Sequence, residues 1–249
     1  MKSNKIKIII FSLVAYIALF EFLFPLNGFF PSVTVIFLSL TELLQNYNFA
    51  LNLISTFAAV YVTILFNFLF TKILFPYLIR KKVEQDSSYS SSIHSIVWIF
   101  SHIPFILTAL LILTWFPDFI LDKYIVAIII LLPKNLMEIS EYDISNHKNY
   151  FYFYNSVGVD KTSILNKIIF KLIEPEYFLY QLKNHSRIWS IIIITEFIQQ
   201  KEGVGGILRT VFKYQDISLI FTITIFVSLL VFAIQKALNL LYHKVYFWK

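Results

Sequence analysis

The run from Phe49 to Ile79 carries one charged residue, Lys72, and this run constrains the fold most. A water-soluble domain rarely buries the whole circumference of so long an apolar segment. A bilayer does, because about 20 apolar residues cross a hydrocarbon core about 30 Å thick. Comparable runs occupy about Ile6 to Phe24, Ile93 to Phe116, Phe119 to Met137 and Ile217 to Leu241. Only 14% of the 249 residues are charged, against roughly 25% in soluble domains. In lipid the backbone must satisfy its own hydrogen bonds, so unbroken runs of this length imply helices. A transmembrane barrel needs alternating strands of about ten residues instead. The expectation is an all-α polytopic membrane protein with about six transmembrane helices.

The fifth span is the least regular. Its apolar core, Ile188 to Ile198, covers about 16 Å at 1.5 Å per residue, half a bilayer. The span therefore extends back over Glu176 to Arg187. Gln181, Lys183, Asn184, His185 and Arg187 are then expected to face protein or a water-filled cavity. Pro175 suits the first turn of such a helix. Between the first two spans, FFPSVTVIFLSLTELLQ reads as a helix on the outer surface, within an amphipathic segment at 27–48. Ser32 is its expected cap. Val33, Ile36, Phe37, Leu40, Leu43 and Leu44 form its expected apolar face. Pro104 should kink the third span.

Lysine and arginine set the orientation. Lys2, Lys5 and Lys7 precede the first span, which lacks a small-residue cleavage site and reads as retained rather than as a signal peptide. Under six spans, 14 of the 21 Lys and Arg fall on the side of the termini and four (Lys123, Lys201, Arg209, Lys213) on the other. That asymmetry places both termini in the cytoplasm. It also accounts for the net charge of +6 without nucleic acid. Lys72 is expected to snorkel to the headgroups.

Several chemistries are not indicated. There is no cysteine for a disulfide or a thiolate site. His94 and His102 lie about two helical turns apart, too far to share a metal. No catalytic cluster stands out, and EGVGG alone marks a turn. No G-x-x-x-x-G-K-[ST] occurs, so any ATPase must be a separate subunit. Lys134 and Glu138, at i and i+4, are spaced to pair.

The stretch from Asp143 to Gly206 combines a polar loop, a glycine, an apolar helix and a polar-faced span. Residues 140–187 are read as a cytoplasmic coupling loop and the start of span 5. The loop Asp143 to Asn155 leads to Gly158, which permits a sharp turn or a close backbone approach. Asp160 is placed to cap a helix over Lys161 to Ile173, with Glu174 and Pro175 breaking it. NYFYFYN, 149–155, is either a partner surface or an interfacial aromatic belt. Glu196 is an intramembrane carboxylate, a functional candidate or a structural hydrogen-bonding group.

In the order of these features the chain resembles the permease subunit of a binding-protein-dependent ABC importer, and most of all the nitrate/sulfonate/taurine subgroup. Gly158 matches the glycine of that family's Glu-Ala-Ala coupling motif, and Ile164 to Phe170 the apolar run after it. Pro175, Arg187, Trp189, Glu196 and EGVGGIL match later positions, and FFPS resembles the family's Leu-Pro-Ser-Pro entry. The Glu-Ala-Ala positions themselves are Tyr152, Phe153 and Tyr154. The resemblance implies a type I importer permease fold in a cell's inner membrane, with no enzymatic activity of its own. Tyr152, Phe153, Tyr154, Gly158, Val159 and Asp160 would couple to an ABC ATP-binding subunit. That partner would hold the ATP and Mg, and this chain no cofactor. Arg187, Trp189 and Glu196 would line a translocation path or a span interface. A second permease copy or paralogue and a substrate-binding protein would complete the assembly. Two other readings stay open: a permease-like assembly or regulatory subunit that does not transport, favoured by the lost Glu-Ala-Ala, and an unrelated transporter or membrane enzyme.

Overall fold

The computed structural model describes residues 2–24, 29–84, 90–116, 121–141, 148–199 and 201–247. These form helices joined by short turns, with no strand among them. Helices α1 (Lys2–Ile17), α2 (Val33–Asn46) and α3 (Phe49–Glu84) come first; a π-helical turn, Ala18–Leu23, continues α1. Then follow α4 (Ser90–His102), α5 (Phe105–Trp115), α6 (Asp122–Glu141) and α7 (Lys148–Ser156). The short α8 (Lys161–Ser163) passes through a π-helical stretch, Ile164–Ile169, into α9 (Phe170–Gln199). α10 (Val204–Lys213) and α11 (Ile217–Val245) complete the chain.

The described parts of the expected spans are helical, the third being divided between α4 and α5. Two, α3 over Phe49–Ile79 and α11, are long and apolar enough to cross a membrane. The α4–α5 pair makes a third if counted as one span, although it bends by 92°. The Pro104 kink is thus a full break, with Pro104 as the N-cap of α5. Lacking an N–H and holding its predecessor out of the α region, proline ends α4 and starts α5. Leu51, Ile54, Leu65 and Phe66 of α3 are 44% to 69% exposed, an apolar exterior suited to lipid.

The chain divides into two compact units. The first holds residues 1–56 and 196–233. In it Ser32 caps α2, its hydroxyl accepting from the Val35 N–H at 3.3 Å, as expected. Of the expected apolar face of α2, Leu43 is buried, while Phe37 and Leu44 are more than half exposed. The first unit also holds Glu21, which accepts from the Thr34 hydroxyl and backbone N–H and ties the turn after α1 to α2. Residues 25–28, between the first expected span and α2, lie outside the described residues.

The second unit holds residues 57–195 and 234–249. Its core joins Phe75 and Ile79 of α3 and Ile139 of α6 to Phe151 of α7, Ile164, Leu165, Ile169, Phe170, Ile173 and Tyr177. Two expectations fail here. The loop Asp143 to Asn155 is a helix from Lys148 onward, because Phe151 finds a buried place one turn inside it. Pro175 does not end a helix. α9 runs through it, with only the Lys171 carbonyl deprived of its partner. Lys134 and Glu138 form no ion pair.

Candidate functional site

The segment expected from the sequence to be a coupling loop is, from Lys148 onward, a helix–turn–helix in the second unit. α7 ends on Gly158, whose φ of +87° lies in the left-handed region. The Gly158 N–H donates to the Asn155 carbonyl at 3.1 Å and the Val159 N–H to the Tyr154 carbonyl at 3.1 Å, closing the helix C-terminus. Two residues later Asp160 caps α8, its carboxylate accepting from the Ser163 N–H at 3.0 Å. The cap is the one expected from the sequence. Of the two readings of Gly158, the turn holds: nothing lies within 4 Å of where a Cβ would be.

The residues in the Glu-Ala-Ala positions divide by face. Tyr152 and Phe153 are 49% and 62% exposed; Tyr154 is partly buried against the unit's core. Phe151, 2% exposed, anchors the helix beneath them. Val159 and Asp160 are at the surface of the turn. From Lys161 the backbone stays helical to Gln199.

Within the same unit, α3 and α9 meet through buried polar groups. The Tyr177 hydroxyl donates to the Thr71 hydroxyl at 3.2 Å and accepts from the Gln181 amide at 2.8 Å. The Trp189 indole N–H donates to His185 Nε2 at 3.2 Å. Tyr61 contacts the same nitrogen at 2.9 Å. An indole N–H can only donate, so Nε2 must accept, which places the proton of a neutral His185 on Nδ1. Gln181 and His185 thus face protein, as expected for a span with a polar half; Lys183 and Arg187 are exposed on this chain. Arg187 and Trp189, grouped from the sequence, point apart: Trp189 is 1% exposed and packed edge-on against Phe57.

The sequence reading missed the partner helix. Thr56, Thr63, Asn67 and Thr71 are all buried, and their spacing of seven, four and four lines one face of α3. That polar stripe in an otherwise apolar span was the available signal.

Glu196 lies in the first unit and is fully buried. Its Oε2 accepts from the Thr56 hydroxyl at 2.8 Å and from the Gly205 N–H at 3.2 Å. Thr56 Oγ1 in turn accepts from the Val204 N–H at 2.9 Å, and Asn52 Oδ1 from the Gly203 N–H at 2.7 Å. These N–H groups belong to the start of α10, whose N-cap residue, Gly203, has no side chain to cap it. A carboxylate suits that place, since orphan donors and the positive end of the helix dipole converge there. Arg209 Nη1 donates to the carbonyls of Phe197 and Ile198 at 3.3 and 3.4 Å, closing the other side of the turn. The EGVGG segment is therefore a capped turn. Among the described residues no His, Asp and Glu cluster could hold a metal ion.

Long lipid-suited helices with a capped helix–turn–helix between two of them define an integral membrane protein of the all-α polytopic class. The chain belongs to the family of binding-protein-dependent transport system inner membrane components, whose family model matches residues 72–245. The match covers α7 to α9 and begins at Lys72, so the FFPS likeness lies outside it. No curated protein and no solved structure matches the chain.

Proposed function

We propose that this chain is the permease subunit of an ABC importer, forming with a second copy or paralogue the path of a small solute. A separate ATPase would drive it by docking on α7 and the Gly158–Asp160 turn. A substrate-binding protein would deliver the solute from the outer face. One observation carries this reading: the exposed Tyr152 and Phe153 sit on a helix anchored by Phe151 and joined by a capped turn to the continuous α8–α9 helix. Closure of an ATPase against that face has a rigid route into a span. In this assembly Arg187, exposed on the single chain, meets the partner permease or the path. The subgroup likeness suggests a small anion or small organic solute.

Cysteines at Val157 and Asp160, both exposed, should crosslink to the co-purifying ATPase. An ATPase-containing complex in which neither crosslinks refutes the coupling assignment. A second reading, an assembly subunit that does not transport, is favoured by the aromatic triplet standing for Glu-Ala-Ala. ATP-driven uptake by the reconstituted complex separates the two.

A further inference from the structure

Beside the inner end of α3 the second unit holds a cavity of about 760 Å³. Lys72 enters it from α3, and Lys167 and Lys171 from the start of the α8–α9 helix, with Phe170 and Ile73 as its apolar surfaces. Lys167 and Lys171 are four residues apart and share a face. Lys72 Nζ lies 5.8 Å from the centre of the Phe170 ring, which holds it toward the cavity. Among the described residues no ion pair is formed with these three ammonium groups. The single acid on the wall, Glu174, is hydrogen-bonded with the Tyr246 hydroxyl, and one carboxylate against three ammonium groups leaves the recess net positive. Burial and this carboxylate push the Tyr246 phenol up to about 12, so it stays a donor.

The surroundings decide what fills such a cavity. Lys72 lies within the apolar run of α3, seven residues before its end at Ile79. Around it Leu69, Phe70 and Ile73 are 41% to 61% exposed. An apolar flank that suits acyl chains therefore adjoins a recess of three lysines and one carboxylate, with a net charge of +2. A soluble anion would use the lysines and leave that flank empty. Basic pockets between helices at the membrane surface hold anionic headgroups by charge, with the acyl chains following the apolar wall.

We infer that the recess formed by Lys72, Lys167, Lys171 and Phe170 is a binding site for the phosphate headgroup of an acidic phospholipid. The bound lipid ties the inner end of α3 to the helix that follows the coupling turn. The assignment to the inner leaflet rests on the topology proposed above; the binding itself does not.

The test uses the full chain purified in a neutral detergent, with native mass spectrometry after titration with phosphatidylglycerol or phosphatidylcholine. The wild type should retain phosphatidylglycerol with a preference of on the order of 10- to 100-fold. Lys72→Gln/Lys167→Gln/Lys171→Gln should abolish the preference at an unchanged melting temperature, and Arg at all three positions should restore it. If the triple Gln variant does not fold, Lys171→Gln alone should lower the preference, and Lys171→Arg should not. Equal retention of the two lipids, or a preference that survives removal of the lysines, overturns the site. So does complete displacement of the lipid by millimolar inorganic phosphate or by an acidic peptide, since either would make the headgroup incidental. None of these outcomes depends on an ATPase, so the coupling proposal stands or falls separately.

Discussion

The Glu196 carboxylate occupies the space that a side chain on Gly203 would need, and a Cβ built there would overlap it. Gly203 also has a φ of +136°, a conformation that L side chains rarely adopt. Gly203→Ala should therefore both strain the backbone and displace the carboxylate from Thr56 and Gly205. The expected cost is on the order of 3 kcal/mol. Glu196→Gln keeps an acceptor but loses charge assistance, and should cost about 1–2 kcal/mol. Glu196→Leu should cost more than either, because the Thr56 hydroxyl and the Gly205 N–H lose their acceptor. Thermal unfolding of the purified chain measures the order. Gly203→Ala melting with the wild type would mean that the carboxylate does not hold this turn.

Gly158 makes a contrasting case, because space around it is open and only its φ of +87° restricts the residue. Ala should cost about 1 kcal/mol, Asn less, since it tolerates the left-handed region, and Val about 2 kcal/mol. If the turn sets the angle between α7 and α8, ATP-driven uptake should fall in the order Gly, Asn, Ala, Val. Equal uptake by all four would show that the angle is not used.

Local devices were legible in the sequence, and long-range ones were not. Ser32 and Asp160 were found as caps because a cap and its donor lie three residues apart. The Thr56–Glu196 and Tyr61–His185 contacts join residues 140 and 124 apart, and no local period announces them. Pro175 misled because a proline usually ends a helix in water. Here Ile173 and Tyr177 on either side of it are buried, and their packing holds the helix through one missing hydrogen bond. NYFYFYN is five consecutive aromatic residues between two asparagines, a pattern that hides the single buried Phe151 on which α7 depends. The overlap of Glu196 with Gly203 was beyond reach, because a glycine cluster looks the same whether it turns freely or makes room for a neighbour.

Topology can be read with single cysteines, but burial dictates where. Lys123 and Gly203 are buried and should stay silent on either side of a membrane. Asn46, Glu202 and Asn149 are exposed. In intact cells an impermeant thiol reagent should label cysteines at Asn46 and Glu202, and should reach Asn149 only after permeabilisation. Labelling at Asn149 in intact cells would invert the orientation that the lysine and arginine asymmetry implies.

α7 offers a separation of stability from docking within three consecutive residues. Phe151 is buried, so Phe151→Ala should cost about 3–5 kcal/mol through the cavity it leaves. Tyr152 and Phe153 are about half and nearly two-thirds exposed, so Ala at either should leave the melting temperature nearly unchanged. If these rings are the docking anchors, the double variant Tyr152→Ala/Phe153→Ala should lose the co-purifying ATPase, since buried aromatics carry much of an interface's energy. The wild-type contact should persist when salt is raised from 0.1 M to about 1 M, because screening weakens exposed charge pairs and not apolar ones. The discriminating result is the pairing of effects. Loss of the ATPase without loss of stability assigns the rings to the interface. An ATPase retained by the double variant, or released by salt alone, would place the contact on the charged residues around the turn instead.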